Sequence, residues 1–180
     1  YKAKKVDKIL ITGDDGGKAY RIFGGAPQET SGGPVRVGSF RSDVSYADFF
    51  IGVDLTDWDE KIVNNVGFMI ARASLSRAQR ASGYLAGYIS DAGAITDHGG
   101  QSVFMLVAFQ SDINVSSPDR YTGGTAFLPR LDPSQKYRMA FNGAGANLAA
   151  ALYARTDLLE PVVRIAAVNS LNTNGISGIG

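Results

Sequence analysis

Apolar residues recur at every second position along much of this chain, and that period governs what it can fold into. Phe49, Ile51, Val53 and Leu55 alternate with Phe50, Gly52, Asp54 and Thr56. Val103, Met105, Val107 and Phe109 alternate with Phe104, Leu106, Ala108 and Gln110, and Tyr137, Met139 and Phe141 with Lys136, Arg138, Ala140 and Asn142. Neighbouring side chains of an extended strand point to opposite faces, so each run lays an apolar row on one side of a sheet. No window long enough for a surface helix holds a sustained stripe at about 3.6-residue spacing.

Further strands are expected at 9–12, 19–23, 34–40, 65–74, 83–90, 147–155 and 162–169. Glycine-rich clusters separate them, such as Gly13-Asp14-Asp15-Gly16-Gly17, Ser31-Gly32-Gly33-Pro34 and Gly123-Gly124, where positive φ costs glycine little. Asn142-Gly143-Ala144-Gly145, between two alternating runs, reads as a hairpin turn. Composition alone would allow helices at 71–81 and 148–154. The first has arginines on several faces, and the second pairs naturally as the return strand of the hairpin. Many short strands with frequent turns predict an all-β fold, a two-sheet antiparallel β-sandwich. We expect one domain over residues 1–180, since no linker, repeat or low-complexity tract interrupts it. Gly175-Ile176-Ser177-Gly178-Ile179-Gly180 reads as the opening of a strand that then stops, and a chain beginning at Tyr1 implies a segment removed upstream.

Charge and cysteine content narrow the functional classes. Eighteen Lys and Arg against seventeen Asp and Glu leave +1, no field to steer toward nucleic acid. With no cysteine, disulfide scaffolds, thiolate metal sites and thiol nucleophiles are excluded. No apolar run is long enough to span a membrane as a helix, so no membrane insertion is expected.

Two blocks carry a resemblance. Asp48-Phe49-Phe50-Ile51-Gly52-Val53-Asp54-Leu55-Thr56-Asp57-Trp58-Asp59, then Val66-Gly67-Phe68-Met69-Ile70-Ala71-Arg72, resembles a pattern of bacterial laminin-G-like, concanavalin-type domains. Tyr137-Arg138-Met139-Ala140-Phe141-Asn142-Gly143, Leu148-Ala149-Ala150-Ala151-Leu152-Tyr153 and Pro161-Val162-Val163 resemble their later hairpin and following strand, and Gly17-Lys18-Ala19-Tyr20-Arg21-Ile22 resembles the way they begin. The resemblance implies a concanavalin-like jelly roll from a secreted or cell-surface bacterial protein. That superfamily includes lectins, carbohydrate-binding modules, adhesion domains, glucanases and polysaccharide lyases, many with a structural calcium ion. One fold hosts many functions, so the resemblance speaks for fold more than for chemistry.

Catalytic patterns are missing. Glycosidases need two carboxyl groups flanking the scissile bond, and glucanases of this fold set theirs as Glu-x-Asp-x-Glu. Glu29, Glu60 and Glu160 are the only glutamates and lie far apart. His98, the single histidine, sits in a turn-like Asp97-His98-Gly99-Gly100, without the positioned partner a working base needs. Zinc is not expected from one His and no Cys.

Two binding features remain. Calcium takes carboxylate and carbonyl oxygens from flexible loops; Asp14, Asp15, Asp57 and Asp59 are the candidate ligands, with ordinary Asp turn chemistry as the alternative. Tyr84 and Tyr88 are four apart on an alternating strand and share a face, within reach of Arg72 and Phe104 on flanking strands. Such a pair would offer a sugar an aromatic platform; the same alternation equally admits both tyrosines in the core. Trp58, in an acidic turn, is expected to close the end of the sandwich. The expected function is a non-catalytic, lectin-like domain that binds a polysaccharide or other glycan. The alternatives are a structural or adhesive module that self-associates through small residues such as Ala108, Ala149 and Ala151, and a glycan-active enzyme of unrecognised mechanism.

Overall fold

The computed structural model describes residues 8–12, 18–22, 38–56, 66–75, 81–90, 101–110 and 123–180. These form twelve strands: β1 (Lys8–Thr12), β2 (Lys18–Ile22), β3 (Ser39–Tyr46), β4 (Phe49–Leu55), β5 (Val66–Leu75), β6 (Ala81–Ile89), β7 (Ser102–Gln110), β8 (Gly124–Leu128), β9 (Tyr137–Ala144), β10 (Asn147–Ala154), β11 (Val163–Val168) and β12 (Gly175–Ile179). No described helix is long and apolar enough to cross a membrane. Two compact units divide the chain, Tyr1–Ser39 with Gly180, and Phe40–Ile179. In the first, β1 and β2 form an antiparallel pair. The second holds a four-stranded sheet, ordered β11-β10-β9-β4, and a six-stranded sheet, ordered β3-β12-β5-β6-β7-β8.

The fold is the expected antiparallel β-sandwich. Its core is the layer where the inner rows of the two sheets meet. Met69, Ala71, Tyr84, Ala86, Tyr88, Phe104 and Leu106 come from the six-stranded sheet, and Tyr137, Met139, Phe141, Leu148, Ala150, Leu152 and Ile165 from the other. A second apolar layer lies on the opposite face of the six-stranded sheet, where Phe68, Ile70, Leu85, Ile89, Val103, Met105, Val107 and Phe109 are also buried. This accounts for the unbroken apolar run of β7, because a strand covered on both sides has no polar row to keep.

Several elements differ from expectation in detail. Of the strand expected at 34–40, residues 34–37 lie outside the described residues, and β3 runs over Ser39–Tyr46, a polar stretch at the sheet edge. Its exposed Arg41–Asp43 pair, Nε to Oδ1 at 3.2 Å, is the kind of charge that discourages edge-to-edge pairing. Gly124, read as part of a turn, opens β8. The terminal 175–179 run is a strand within the sheet, bonded on one side to β5. The 148–154 segment is strand β10, its alternate Leu148, Ala150 and Leu152 buried.

The β9–β10 hairpin is present, but its loop is Gly145-Ala146, closed by the Ala144–Asn147 pair. Gly145 takes φ +55, a positive value at the first loop position as two-residue hairpin turns require. Asn142 and Gly143 belong to β9. Gly143 serves space rather than turning: a Cβ there would fall 2.4 Å from Phe49 Cε1. Into that gap the Phe49 ring packs edge-on against Phe141, centroids 4.8 Å apart.

Strand β5 carries a β-bulge between Ala71 and Ser74, with Arg72 at φ +48. The strands on either side make room with Gly83 and Gly175, whose φ values are +150 and +155. A Cβ on Gly175 would come within 2.4 Å of the Arg72 carbonyl carbon. Gly145, also at positive φ, has open space around it. We therefore expect Gly145→Ala to cost about 1–2 kcal/mol, the backbone penalty alone. Gly175→Ala should add an overpacking cost of about 1–3 kcal/mol. Urea unfolding of the two variants measures the difference, and equal losses would contradict the close-packed bulge.

Candidate functional site

The four residues expected to offer a sugar platform lie inside the sandwich. Tyr84 and Phe104 are 0% exposed, Tyr88 3% and Arg72 2%. Tyr84 and Tyr88 do share a face, with Ala86 between them, but it is the inner one; Leu85 and Ile89, on the other row, are buried too. A ring packed between sheets has no free face for a sugar, so the expected platform is not formed. The hydroxyls of these rings hold loops instead. Tyr84 donates to Asn169 Oδ1 at 2.6 Å and accepts from the Asn172 N–H at 3.0 Å. Tyr88 donates to Ser102 Oγ at 2.9 Å and accepts from the Leu131 N–H at 3.2 Å. Each ring thus fills the core while its polar tip fastens a connection, Tyr84 the β11–β12 segment and Tyr88 the β8–β9 segment.

Asp14, Asp15, Asp57 and Asp59 lie outside the described residues, as do Trp58 and His98. Among the described residues, no three His, Asp or Glu side chains converge as a metal site.

The outer face of the four-stranded sheet gathers a different set. Register places Phe50, Asn142, Ala149 and Ala166 in one row across β4, β9, β10 and β11. The next row is Gly52, Ala140, Ala151 and Arg164, and the third is Asp54, Arg138 and Tyr153. Adjacent rows are about 7 Å apart and adjacent strands about 4.8 Å. The middle of this face is therefore a floor of glycine and alanine, with aromatic and polar side chains around it. Phe50 is 73% exposed and leans along its own strand toward Gly52, where an added Cβ would lie 3.4 Å from Phe50 Cε1. Asn142, directly across from it, is exposed, and Tyr153 at the opposite corner is half-buried.

At one end of the face the Arg138 guanidinium grips Asp54 with two bonds, Nε to Oδ1 at 2.6 Å and the terminal nitrogen to Oδ2 at 2.8 Å. That hydrogen bonding to Asp54 raises the Arg138 pKa further above its ordinary value. Arg155 approaches the same carboxylate at 3.6 Å. Arg164 is exposed on the outer strand.

Phe50 is not among the residues expected to bind, although the sequence carries a signal for it. In the alternating run of β4, Phe50 shares its row with Gly52, Asp54 and Thr56, an aromatic in the row that should face water.

No family model matches the sequence, and no curated protein matches it either. Among solved structures, the chain is similar to the carbohydrate binding module CBM66 from Bacillus subtilis, with a TM-score of 0.56 and 18% identity. The likeness covers 97% of this chain and 84% of that one. It is a likeness of fold.

The buried tyrosines give a direct expectation. Tyr84→Phe removes a hydroxyl that satisfies the Asn172 N–H and the Asn169 side chain, and leaving such groups unpaired costs about 1–3 kcal/mol. Chemical denaturation should show that loss. Unchanged stability would mean that the hydroxyl is not the fastening for the 169–172 segment.

Proposed function

We propose that this domain is a non-catalytic carbohydrate-binding module that holds its glycan on the outer face of the four-stranded sheet. Phe50 carries the reading. An exposed ring across from Asn142 is what a sugar requires, because the C–H face of a pyranose packs on an aromatic face while amide groups bond its hydroxyls. The glycine and alanine floor lets a chain lie close to the backbone. The fold likeness to a carbohydrate binding module supports this reading. Glycoside hydrolysis needs two carboxyl groups at the bond, whereas Asp54, the carboxylate within these three rows, is engaged by Arg138. A glycan-binding role implies a secreted or cell-surface setting.

Titration against a polysaccharide panel tests the site. Phe50→Ala should weaken binding by about 1–3 kcal/mol, the scale of planar rings stacking on aromatic side chains, and Asn142→Ala by about 0.5–1.5 kcal/mol for one neutral hydrogen bond. Full affinity in Phe50→Ala would refute the placement. Release of products from any panel member would replace binding with catalysis.

A second reading draws on Ala149, which lies half-buried on this face and suits close packing against another sheet; Ala151, on the same face, is buried, and Ala108 is in the core. Sedimentation of the free protein separates the readings, since a dimer disrupted by Phe50→Arg would favour self-association. Structural calcium at Asp14 and Asp15, or Asp57 and Asp59, is a separate proposal from the sequence. Excess calcium should raise the melting midpoint and EDTA lower it, because a ligand of the native state stabilises it; no shift in either removes the ion.

A further inference from the structure

We infer that the glycan on this face is anionic, bearing carboxylates or sulfates that Arg164 and Arg155 pair with. This rests on the placement of a glycan there. The observation is one of charge. Three guanidinium groups, those of Arg138, Arg155 and Arg164, share the face with Asp54, so two positive charges are uncompensated on a chain whose formal net charge is +1.

The three arginines are not equivalent. Arg138 is committed to Asp54 through two short bonds. Arg155 meets the same carboxylate only through Nε at 3.6 Å, which leaves its terminal nitrogens to a ligand. No acidic side chain pairs with Arg164 among the described residues, and in its row it adjoins Ala151, Ala140 and Gly52. Asp157, in the β10–β11 connection, is turned to its own loop, accepting from the Leu159 and Glu160 N–H groups at 2.9 and 3.3 Å.

Charge also decides between occupants. A neutral sugar laid over the alanine floor can accept from Arg164 through its hydroxyl oxygens, but it brings no opposite charge to the guanidinium. A second copy stacked face to face would bring like charges together. A carboxylate or sulfate accepts the guanidinium fork through two parallel bonds. From Phe50 on β4 to Arg164 on β11 is three strand spacings across and one row along, about 16 Å, more than one sugar ring covers. The ligand is an oligosaccharide stacking at Phe50 and anchored by charge across the sheet.

Calorimetric titration with matched pairs of polymers tests this: polygalacturonate against its methyl ester, carboxymethyl cellulose against hydroxyethyl cellulose, and dextran sulfate against dextran. The charged member of at least one pair should bind roughly tenfold more tightly or better, and raising the salt should weaken it, since exposed charges are screened. The first two pairs report a carboxylate and the third a sulfate. Arg164→Gln should cost roughly tenfold, the scale of one charge-assisted bond, with its melting midpoint unchanged. Arg41→Gln, which removes an equal charge from strand β3, should leave binding intact. Equal binding of charged and neutral members, insensitivity to salt, or full affinity in Arg164→Gln overturns the anionic inference and leaves the carbohydrate reading standing. Failure of every polymer, charged and neutral, removes both.

Discussion

The buried guanidinium of Arg72 is the interaction around which one end of the sandwich is arranged. A charge taken out of water costs several kcal/mol unless its donors are bonded. Here Nε donates to the Ala47 carbonyl at 2.6 Å and a terminal nitrogen to the Asn172 carbonyl at 3.3 Å. Asp48 stands 3.8 Å away, and the Phe49 ring lies 5.5 Å beneath the group. One side chain from the six-stranded sheet thereby holds the β3–β4 turn and the β11–β12 connection, and packs on the first residue of β4 in the opposite sheet. Asp48 extends the network by accepting the Gly145 N–H of the β9–β10 turn at 3.0 Å. Left-handed backbone costs a non-glycine residue about 1–2 kcal/mol. Hydrogen bonds to charged groups, at about 1.5–3 kcal/mol each, offset that cost.

That network bears on the exposed face through the geometry of a strand. Phe49 is held inward by Arg72, Phe141 and the gap at Gly143. Its neighbour must then point outward, since successive side chains take opposite faces. The exposure of Phe50 thus follows from the anchoring of Phe49. The six-stranded sheet offers no comparable surface in its central described strands, because β6 and β7 are buried on both faces. Tyr84 and Tyr88 belong to that doubly covered sheet, and their hydroxyls serve the loops at its ends. Large apolar rings on the inner row and small residues on the outer row of the other sheet assign core and surface to opposite sides of the same strands.

Much of this fold is legible in the sequence, and the failures have physical causes. Where one row is apolar and the other polar, as in β4 and β9, alternation identifies both the strand and its inner face. In β6 it fixes that Tyr84 and Tyr88 lie together but not on which side, because Leu85 and Ile89 make the second row apolar as well. The hairpin turn is displaced by two residues because Asn142-Gly143 carries a strong turn signal, while Gly143 answers to the Phe49 ring, which is distant in sequence. The bulge at Arg72 depends on Gly83 and Gly175 being next to it in space, a relation no local pattern contains. Edge strands β3 and β8 lack apolar rows of their own, so periodicity gives little sign of them. Phe50 is legible as an aromatic in a polar row.

An open sheet face and a closed pocket solve recognition differently. A pocket surrounds a small ligand and buries most of its surface, whereas the outer rows of β4, β9, β10 and β11 would touch the proposed glycan from one side only. Affinity on such a face comes from several modest contacts spread along an extended molecule, which favours a polymer. Binding is opposed by the entropy of ordering side chains. Gly52, Ala140, Ala149, Ala151 and Ala166 carry almost no rotamer freedom to lose, and the Arg138–Asp54 pair holds two more side chains in place before a ligand arrives. What remains to be ordered is chiefly Phe50, with few rotatable bonds, and the long side chains of Arg155 and Arg164. For those two, a charge-assisted bond to the proposed anionic glycan would be the compensation that makes ordering them favourable.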